Sequence, residues 1–238
     1  MDEILNEKEK AAALKKIQLF SELSDKELHQ INSQIALKIF RKNETILYEE
    51  DTSAFMYIIL SGKVKVIKTT GEGKEIILAM HNAGNFFGEM SLIDGKTSPA
   101  SVVAIEDSII SIISKNDFYS LLFAHKKVFE NLLKILSSRL RSSWDTIKLL
   151  NFNSASQRIR TLFFMLSEEH GKRTADGIIL NANLSHKEIS EMTGLTRETV
   201  TRVMDKWQKE GEIAILKNKS IRLNPAFHKR SDLKDLQD

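Results

Sequence analysis

The 238-residue chain contains no cysteine. This absence excludes disulfide bonds, cysteine-ligated zinc, iron–sulfur clusters and thiol-based sensing. The sequence also lacks an apolar run of about eighteen residues, the length that a membrane-spanning helix needs. Its first residues, MDEILNEKEKAAALKK, are acidic where a signal peptide requires a basic start and an apolar centre. We therefore expect a cytoplasmic protein that does not contact a membrane.

The motifs of several enzyme classes are missing as well. The sequence has no P-loop, no H-E-x-x-H pair, no nucleophile elbow and no constellation of paired carboxylates. We therefore expect a protein that is not an enzyme, and we identify no metal ligands.

The composition is that of a soluble globular protein, with 42% hydrophobic and 28% charged residues. A chain of this length suits one large or two modest domains. The formal net charge is +3, and from Ala155 onward 15 Lys and Arg residues face 12 Asp and Glu residues. The basic excess therefore lies in the C-terminal part, which mildly favours a nucleic-acid partner there.

The most informative segment is LSHKEISEMTGLTRETVTRVM, from Leu184 to Met204. Ser185 and Glu188 have the spacing of a capping box, which opens a helix, and Gly194 is suited to end it. Thr196 is suited to cap a second helix. Two short helices joined by a tight turn are typical of a helix-turn-helix, whose second helix presents its first turn to DNA bases.

The second helix of this segment has two different faces at 100° per residue. The apolar face carries Val200, Val203, Met204 and Trp207. The opposite arc carries Arg197, Glu198, Thr201 and Arg202. Glu198 and Arg202 can alternatively form a surface ion pair, which would stabilise the helix by only about 0.2–0.5 kcal/mol.

The N-terminal half changes from helical to strand-like periodicity. The pattern predicts helix from about Ile4 to Ile35, interrupted at LFSELS, with a capping box at Ser24 and Glu27. From Ile39 to Ile113, short β-branched runs separated by glycine, asparagine and aspartate predict strands. These strands favour a compact antiparallel barrel or roll.

A long helix is predicted to follow from Asn116. Its apolar positions have the 4-3-4-3 spacing of a coiled-coil seam, which predicts a parallel dimer. This seam consists of Phe129, Leu133, Leu136, Leu140, Ser143, Ile147 and Leu150. The same stripe would also arise if the helix packed against the predicted β-barrel or roll. The polar stretch NFNSAS then marks a linker.

The C-terminal part is expected to be a winged helix. A helix from Gln157 to Glu169 should bury Ile159, Leu162, Phe163 and Leu166. GKRTADG is predicted to be a loop and IILNANL a strand, whereas EIAILKNKSIRL is predicted to be a hairpin with the basic turn Lys217-Asn218-Lys219. The residues from Asn224 to Asp238 form a polar tail without an assignment.

Together these parts resemble the CRP/FNR family of bacterial transcription regulators. The resemblance rests on YIILSGKVKV from Tyr57, FFGEMSLIDG from Phe86, QRIRTLFFML from Gln157 and LTRETVTRV from Leu195. It implies an α+β chain with an antiparallel, cupin-type cyclic-nucleotide-binding-like β-roll at 1–125, a dimerisation helix and hinge at 126–153, and a winged helix-turn-helix at 154–238. It also implies a homodimer that binds double-stranded DNA and contacts RNA polymerase.

The resemblance assigns DNA reading to the R-E-T-V-x-R motif, which recognises TGTGA-like half-sites in the family. Arginine can bond two acceptors of guanine, and glutamate accepts from the cytosine amine. The wing lysines are expected to contact phosphates. The candidate DNA-binding residues are Arg197, Glu198, Arg202, Thr196, Thr201, Ser185, Lys217 and Lys219.

The effector site departs from the cyclic-AMP pattern of the family, which pairs a G-E with a later R-S-A. Gly88 and Glu89 match the start, but Ser98 and Pro99 stand where arginine and serine are expected, ahead of Ala100 and Ser101. The cyclic phosphate would lose its cation, and proline has no backbone N–H. Register and reach both argue against Lys96 as a substitute. Cyclic AMP is therefore a doubtful effector.

A second departure lies on the long helix. The family's two adenine-contacting positions fall at Ser143 and Trp144, so a large ring replaces a small residue. Trp144 would fill the pocket, stack on another ligand, or pack between helix and barrel. Haem remains an alternative through His29, His81 or His125, as does a protein that needs no small molecule. The competing functional class is a cyclic-nucleotide-responsive signalling module whose main output is not DNA binding.

Overall fold

The computed structural model of the chain describes residues 7–32, 35–52, 54–180, 184–217 and 219–228. The predictions that fall on Ile4, 181–183, Asn218 and 229–238 lie outside the described residues. The chain divides into two compact units, Met1–Arg139 and Leu140–Asp238. The three-part division at 125 and 153 remains a prediction.

The first unit begins with two short helices, α1 (Glu7–Lys15) and α2 (Asp25–Asn32). The predicted capping box is confirmed, because the Ser24 N–H donates to the Glu27 carboxylate at 2.8 Å. Hydrogen bonds from the Ser24 hydroxyl and backbone, together with the nearby His125, lower the pKa of Glu27. Local hydrogen bonding therefore fixes the start of α2.

Eight strands of the first unit form the predicted antiparallel roll. They are β1 (Ala36–Phe40), β2 (Thr45–Leu47), β3 (Phe55–Ser61), β4 (Lys63–Thr69), β5 (Glu75–Asn82), β6 (Phe86–Phe87), β7 (Ser101–Ala104) and β8 (Ser108–Ser114). Two four-stranded sheets result, with orders β1-β8-β3-β6 and β2-β7-β4-β5. Gly62 makes the β3–β4 turn at φ 95°, and a Cβ there would overlap Ser108.

One helix of the roll was not predicted. α3 (Glu89–Asp94) lies inside the FFGEMSLIDG motif, between Gly88 and Gly95. Both glycines have positive φ, at 85° and 71°, so the motif's glycines bound a single short helix.

The long helical region is divided at His125 into α4 (Lys115–Ala124) and α5 (Lys126–Asn151). On α5, Val128, Leu132 and Ile135 are buried in the core of the first unit. The predicted seam is a different stripe, since Phe129 and Leu133 are 46% and 49% exposed. Leu136 lies between the two stripes and packs partly against the core.

The second unit has the predicted winged-helix order. After the end of α5, its elements are α6 (Ala155–His170), β9 (Gly171–Thr174), β10 (Gly177–Leu180), α7 (His186–Thr193), α8 (Arg197–Lys209), β11 (Ile213–Ile215), β12 (Ile221–Leu223) and a 3-10 helix at Pro225–His228. The strands pair in the order β11-β12-β10-β9. The predicted core residues Ile159, Leu162, Phe163 and Leu166 are buried.

One prediction for the second unit is wrong. The GKRTADG stretch is not a loop, because Gly171–Thr174 pairs with β10 as an edge strand. The start of the tail is also structured, since Phe227 is fully buried and its ring lies 5.3 Å from that of Trp207. Burial of one aromatic side chain draws this otherwise polar segment onto the core.

The helices of the described residues include none that is both long and apolar enough to cross a membrane.

Candidate nucleic-acid interface and effector pocket

The helix-turn-helix is fixed by the local signals that predicted it. Ser185 and Glu188 form a reciprocal capping box at the start of α7. Gly194 ends α7 at φ 66°, a left-handed conformation that favours glycine. Thr196 caps α8, and its Oγ1 accepts from the Thr199 N–H at 3.2 Å. α7 therefore ends at Thr193 and α8 begins at Arg197, so three residues separate the two helices.

We call the outer surface of α8 formed by Arg197, Glu198, Thr201 and Arg202 the reading face, after the role predicted for it from the sequence. The inner face holds α8 in place, with Val200, Met204 and Trp207 buried and Val203 half-buried. The reading face lines an open concavity of about 830 Å³ together with Asp205, Lys206, Lys209 and Glu210. Arg197, Glu198 and Arg202 are exposed, and Thr201 is half-buried.

The alternative surface pair between Glu198 and Arg202 does not form. Among the described residues, no ion pair within 4.0 Å joins these two side chains. The i to i+4 pairs of this region are Lys187–Glu191 on α7 and Lys206–Glu210 on α8. The charged groups of the reading face therefore remain available to a ligand.

The wing is the hairpin of β11 and β12. Its two described lysines, Lys217 and Lys219, are exposed. The Leu216 N–H donates to the Ser220 carbonyl at 2.9 Å and closes the turn. Lys219 has φ 64°, a left-handed conformation that is unfavourable for lysine. The tip thus holds its cations on a tight, hydrogen-bonded turn.

A buried ion pair connects α6 to Glu212, the residue that precedes β11. Arg160 Nη2 bonds Glu212 Oε2 at 2.5 Å, and both side chains are at least 93% buried. Arg160 Nη1 also donates to the Phe227 carbonyl at 2.9 Å, and the guanidinium lies over the Trp207 and Phe227 rings. Arg160, in the QRIRTLFFML motif, was not assigned a role from the sequence.

The reading face has one neighbour that sequence reasoning did not single out. His186, the first residue of α7, places Nδ1 2.8 Å from the Thr201 Oγ1. The two residues are 15 positions apart, so no local pattern pointed to this contact.

The cassette is the segment from Phe86 to Ser101 that the resemblance assigns to the effector. Gly88 has φ 85°, and a Cβ there would lie 2.9 Å from the Phe55 carbonyl. Glu89 is buried, and Arg139 of α5 donates to its Oε1 at 2.8 Å. Arg139 also donates to the Phe86 carbonyl at 2.6 Å. The G-E pair therefore has structural roles that need no ligand.

At the other end of the cassette, the serine hydroxyls form hydrogen bonds with backbone groups. Ser98 is buried and its Oγ donates to the Ala100 carbonyl at 2.8 Å. Ser101 Oγ accepts from the Glu49 N–H at 2.8 Å. Pro99 is exposed and Ala100 buried. Lys96 is exposed, and its N–H is bonded to Asp94.

Arg139 was missed by sequence reasoning although a signal existed. Val128, Leu132, Ile135 and Arg139 continue one helical spacing on α5, which places a cation beside the buried stripe. Burial and the charge of Arg139 lower the pKa of His81 to about 3. His81 is therefore neutral at physiological pH.

The remaining predicted positions lie on α5 in the second unit. Ser143 and Trp144 are exposed, the latter to 59%. Leu140, Ile147 and Leu150 of the seam are also exposed. Trp144 lies on the same side as Leu140 and Ile147, at spacings of four and three residues, so it extends the exposed apolar stripe.

The candidate haem ligands have different surroundings. His29 is exposed, whereas His125 places Nδ1 3.2 Å from the Glu27 carboxylate. Within the part of the chain that the structure describes, no three His, Cys, Asp or Glu side chains cluster as metal ligands.

Comparisons with known proteins agree with this two-unit arrangement. Residues 37–125 match the cyclic nucleotide-binding domain and residues 157–226 match the Crp-like helix-turn-helix domain. The cyclic AMP receptor protein of Thermus thermophilus is 30% identical over 83% of this chain and 88% of its own length. The global nitrogen regulator of a Nostoc species is 28% identical over 82% of this chain and 92% of its own length.

The fold also matches a solved structure, that of a CooA mutant from Carboxydothermus hydrogenoformans. Its TM-score is 0.76 at 22% identity, over 93% of this chain and 94% of that one. With both domain matches in the same order and a relative aligned over most of its length, the chain belongs to the CRP/FNR family of transcription regulators and is not an enzyme.

Proposed function

We propose that the protein is a homodimeric, sequence-specific regulator that reads TGTGA-like palindromic half-sites and does not respond to cyclic AMP. The observation that carries the reading role is the reading face itself. Arg197, Glu198 and Arg202 stand exposed together on the first turns of α8. Arginine suits guanine and glutamate suits the cytosine amine, so this set fits G·C pairs in a major groove.

The dimer is supported by the apolar stripe of α5. Phe129, Leu133, Leu140, Trp144, Ile147 and Leu150 are all exposed in a single chain. A second copy of α5 would bury this stripe along a parallel seam. Two-fold symmetry then supplies two reading faces for a palindrome, whose half-sites lie about 34–36 Å apart.

Independence from cyclic AMP is supported by the hydrogen bonds of the cassette. Ser98 and Ser101 commit their hydroxyls to backbone groups, and Glu89 is engaged by Arg139. The Arg139 and Glu89 charges offset one another, and Ser98 stands where the family pattern has an arginine. A phosphate buried here would lack a cation, which costs several kcal/mol by rough estimate.

Membership of the family does not fix the effector, because the relatives include a cyclic AMP receptor and a nitrogen regulator by name. We place the protein in the cytoplasm with RNA polymerase as its further partner. The alternative signalling module without a DNA output is not favoured by any feature of the described residues.

The experiment that tests this function is selection of binding sites from random duplex DNA by the purified protein. The expected result is a palindrome with TGTGA-like halves, obtained without cyclic AMP. Arg197→Ala should relax the preference at one G·C pair by about 1–3 kcal/mol. An unrelated consensus, or an unchanged preference in Arg197→Ala, would contradict the proposal.

Substitution at the wing provides the matched control. Lys217→Ala and Lys219→Ala should weaken binding evenly on all sequences, because phosphate contacts carry no base information. A plot of log affinity against log salt concentration has a negative slope, and each substitution should reduce the magnitude of this slope by about one per half-site.

A further inference from the structure

The contact between His186 and Thr201 fixes hydrogen positions on the reading face. Thr201 Oγ1 lies 3.0 Å from the Arg197 carbonyl, to which it donates. A hydroxyl has a single hydrogen, so Thr201 Oγ1 has only lone pairs left for the imidazole. His186 Nδ1, at 2.8 Å, must then carry a hydrogen and donate it to Thr201.

These two bonds fix the rotamer of Thr201. A threonine in a helix divides between two χ1 rotamers, since its hydroxyl can reach a carbonyl of the preceding turn. The second bond, from a different helix, selects the rotamer that also meets His186. With Oγ1 held by both neighbours, the Cγ2 methyl is restricted to one position, and Thr201 lines the same concavity as Arg197 and Arg202.

We propose that His186 is a positioning residue that acts through Thr201, so that the Thr201 methyl contacts the methyl group of one thymine in each half-site. This inference rests on the proposed reading of a palindrome by α8. Contact between a threonine methyl and the thymine methyl is a known means of distinguishing T·A from the other pairs. His186 itself touches no base.

The test replaces each thymine of the selected palindrome in turn by deoxyuridine, which lacks only the methyl group. The affinity of the full-length protein is measured by fluorescence anisotropy at one salt concentration. The wild type should lose about fourfold for each half-site substituted at a single thymine position, the value of one buried methyl group. Other thymines should have little effect.

Four variants separate the residues involved. Thr201→Ser keeps the hydroxyl and lacks the methyl, so it should bind thymine and uracil duplexes equally. His186→Ala should lower the ratio of the affinities for the thymine and uracil duplexes below twofold, because the Thr201 rotamer is no longer fixed. His186→Asn keeps a donor near the position of Nδ1 and should restore this thymine-to-uracil ratio. Thr199→Ser, on the same helix outside the reading face, is the matched control and should keep the full ratio.

Several outcomes would overturn the inference. They are equal wild-type affinities at every position, a retained preference in Thr201→Ser, or a retained preference in His186→Ala with an unchanged circular dichroism spectrum. Failure of the proposed function has a different signature, because the wild type would then bind palindromic and scrambled duplexes equally. The thymine-to-uracil ratio in Thr201→Ser therefore decides the inference separately from DNA binding itself.

Discussion

Arg160 shows how a single residue can hold several segments of the second unit together. Its guanidinium bonds the Glu212 carboxylate and the Phe227 carbonyl and lies over two aromatic rings. These contacts join α6 to the residue that precedes β11 and to the 3-10 helix at Pro225–His228. A charge buried to this degree is tolerated only while its partner is present.

Loss of one partner of this pair should therefore be more damaging than loss of both. Arg160→Met leaves the Glu212 carboxylate buried and should reduce the free energy of unfolding by about 3–5 kcal/mol. The double variant Arg160→Met/Glu212→Leu should recover most of that loss. Urea unfolding followed by tryptophan fluorescence measures both, with the exposed Arg173→Met as control. A double variant as unstable as the single one would contradict this view.

His81 makes stability depend on pH through its lowered pKa. The unfolded chain protonates this histidine near pH 6.5, by general reference value, and the folded protein only at about 3. Between these values the unfolded state binds more protons. The free energy of unfolding should therefore fall as pH decreases from about 6.5 towards 3, by up to about 1.4 kcal/mol per pH unit.

The variant His81→Gln should flatten this dependence, because it removes the proton that the unfolded chain takes up. The measurement is urea unfolding at pH 4 to 7, with His29→Gln at an exposed site as the matched control. Equal pH slopes in the wild type and His81→Gln would show that another group is responsible.

For single residues, contacts between neighbours in the sequence could be predicted, whereas contacts between residues far apart in the sequence could not. The caps at Ser185 and Thr196 depend on residues three positions away, so spacing alone predicted them. The Arg139–Glu89 bond joins residues 50 positions apart, and no local pattern links them. The same limit hid the contact between His186 and Thr201, which are 15 positions apart.

Among the elements, α5 illustrates how one helix can carry two apolar stripes. The stripe of Val128, Leu132 and Ile135 is buried in the first unit, and the seam residues other than Leu136 are exposed. Periodicity predicted the seam but could not tell which partner it faces. Within the first unit, the exposure of Phe129 and Leu133 argues against packing of these two residues on the strands, whereas Leu136 packs partly against the core.

A charge in the seam should separate the dimer into monomers. Leu133→Glu or Ile147→Glu would place a carboxylate where the apolar faces meet, and burying an unpaired charge is strongly unfavourable. Sedimentation velocity should show the mass halved and DNA affinity reduced. Lys134→Glu, one position from the seam, should remain dimeric. A monomeric wild type, or dimeric seam variants, would contradict the proposed dimer.

Two elements of the second unit, one predicted to be a loop and one left unassigned, have a common cause. β9 consists of Gly171–Thr174, whose polar and charged side chains are typical of a loop, yet its backbone pairs with β10. The 3-10 helix at Pro225–His228 is held by Phe227 in the core. In both places tertiary pairing or burial overrides local composition, which sequence reasoning weighs most heavily.

For the whole molecule, the DNA-binding part was easier to predict from the sequence than the effector. The family, the roll and the winged helix followed from motifs and periodicity, because both depend on residues close in sequence. The cassette required atomic positions: Gly88 and Glu89 match a ligand motif, yet both have structural roles here. A motif match therefore identified the fold of this segment without identifying its ligand.

The central claim is that this regulator reads TGTGA-like DNA without cyclic AMP. The most direct measurement is the affinity of the purified protein for a TGTGA palindrome and a scrambled duplex, at one salt concentration, with and without cyclic AMP. The expected result is preferential binding of the palindrome, with affinity unchanged within about twofold by the nucleotide. A preference that arises only with cyclic AMP, or an affinity that cyclic AMP raises by about tenfold or more, would contradict the claim.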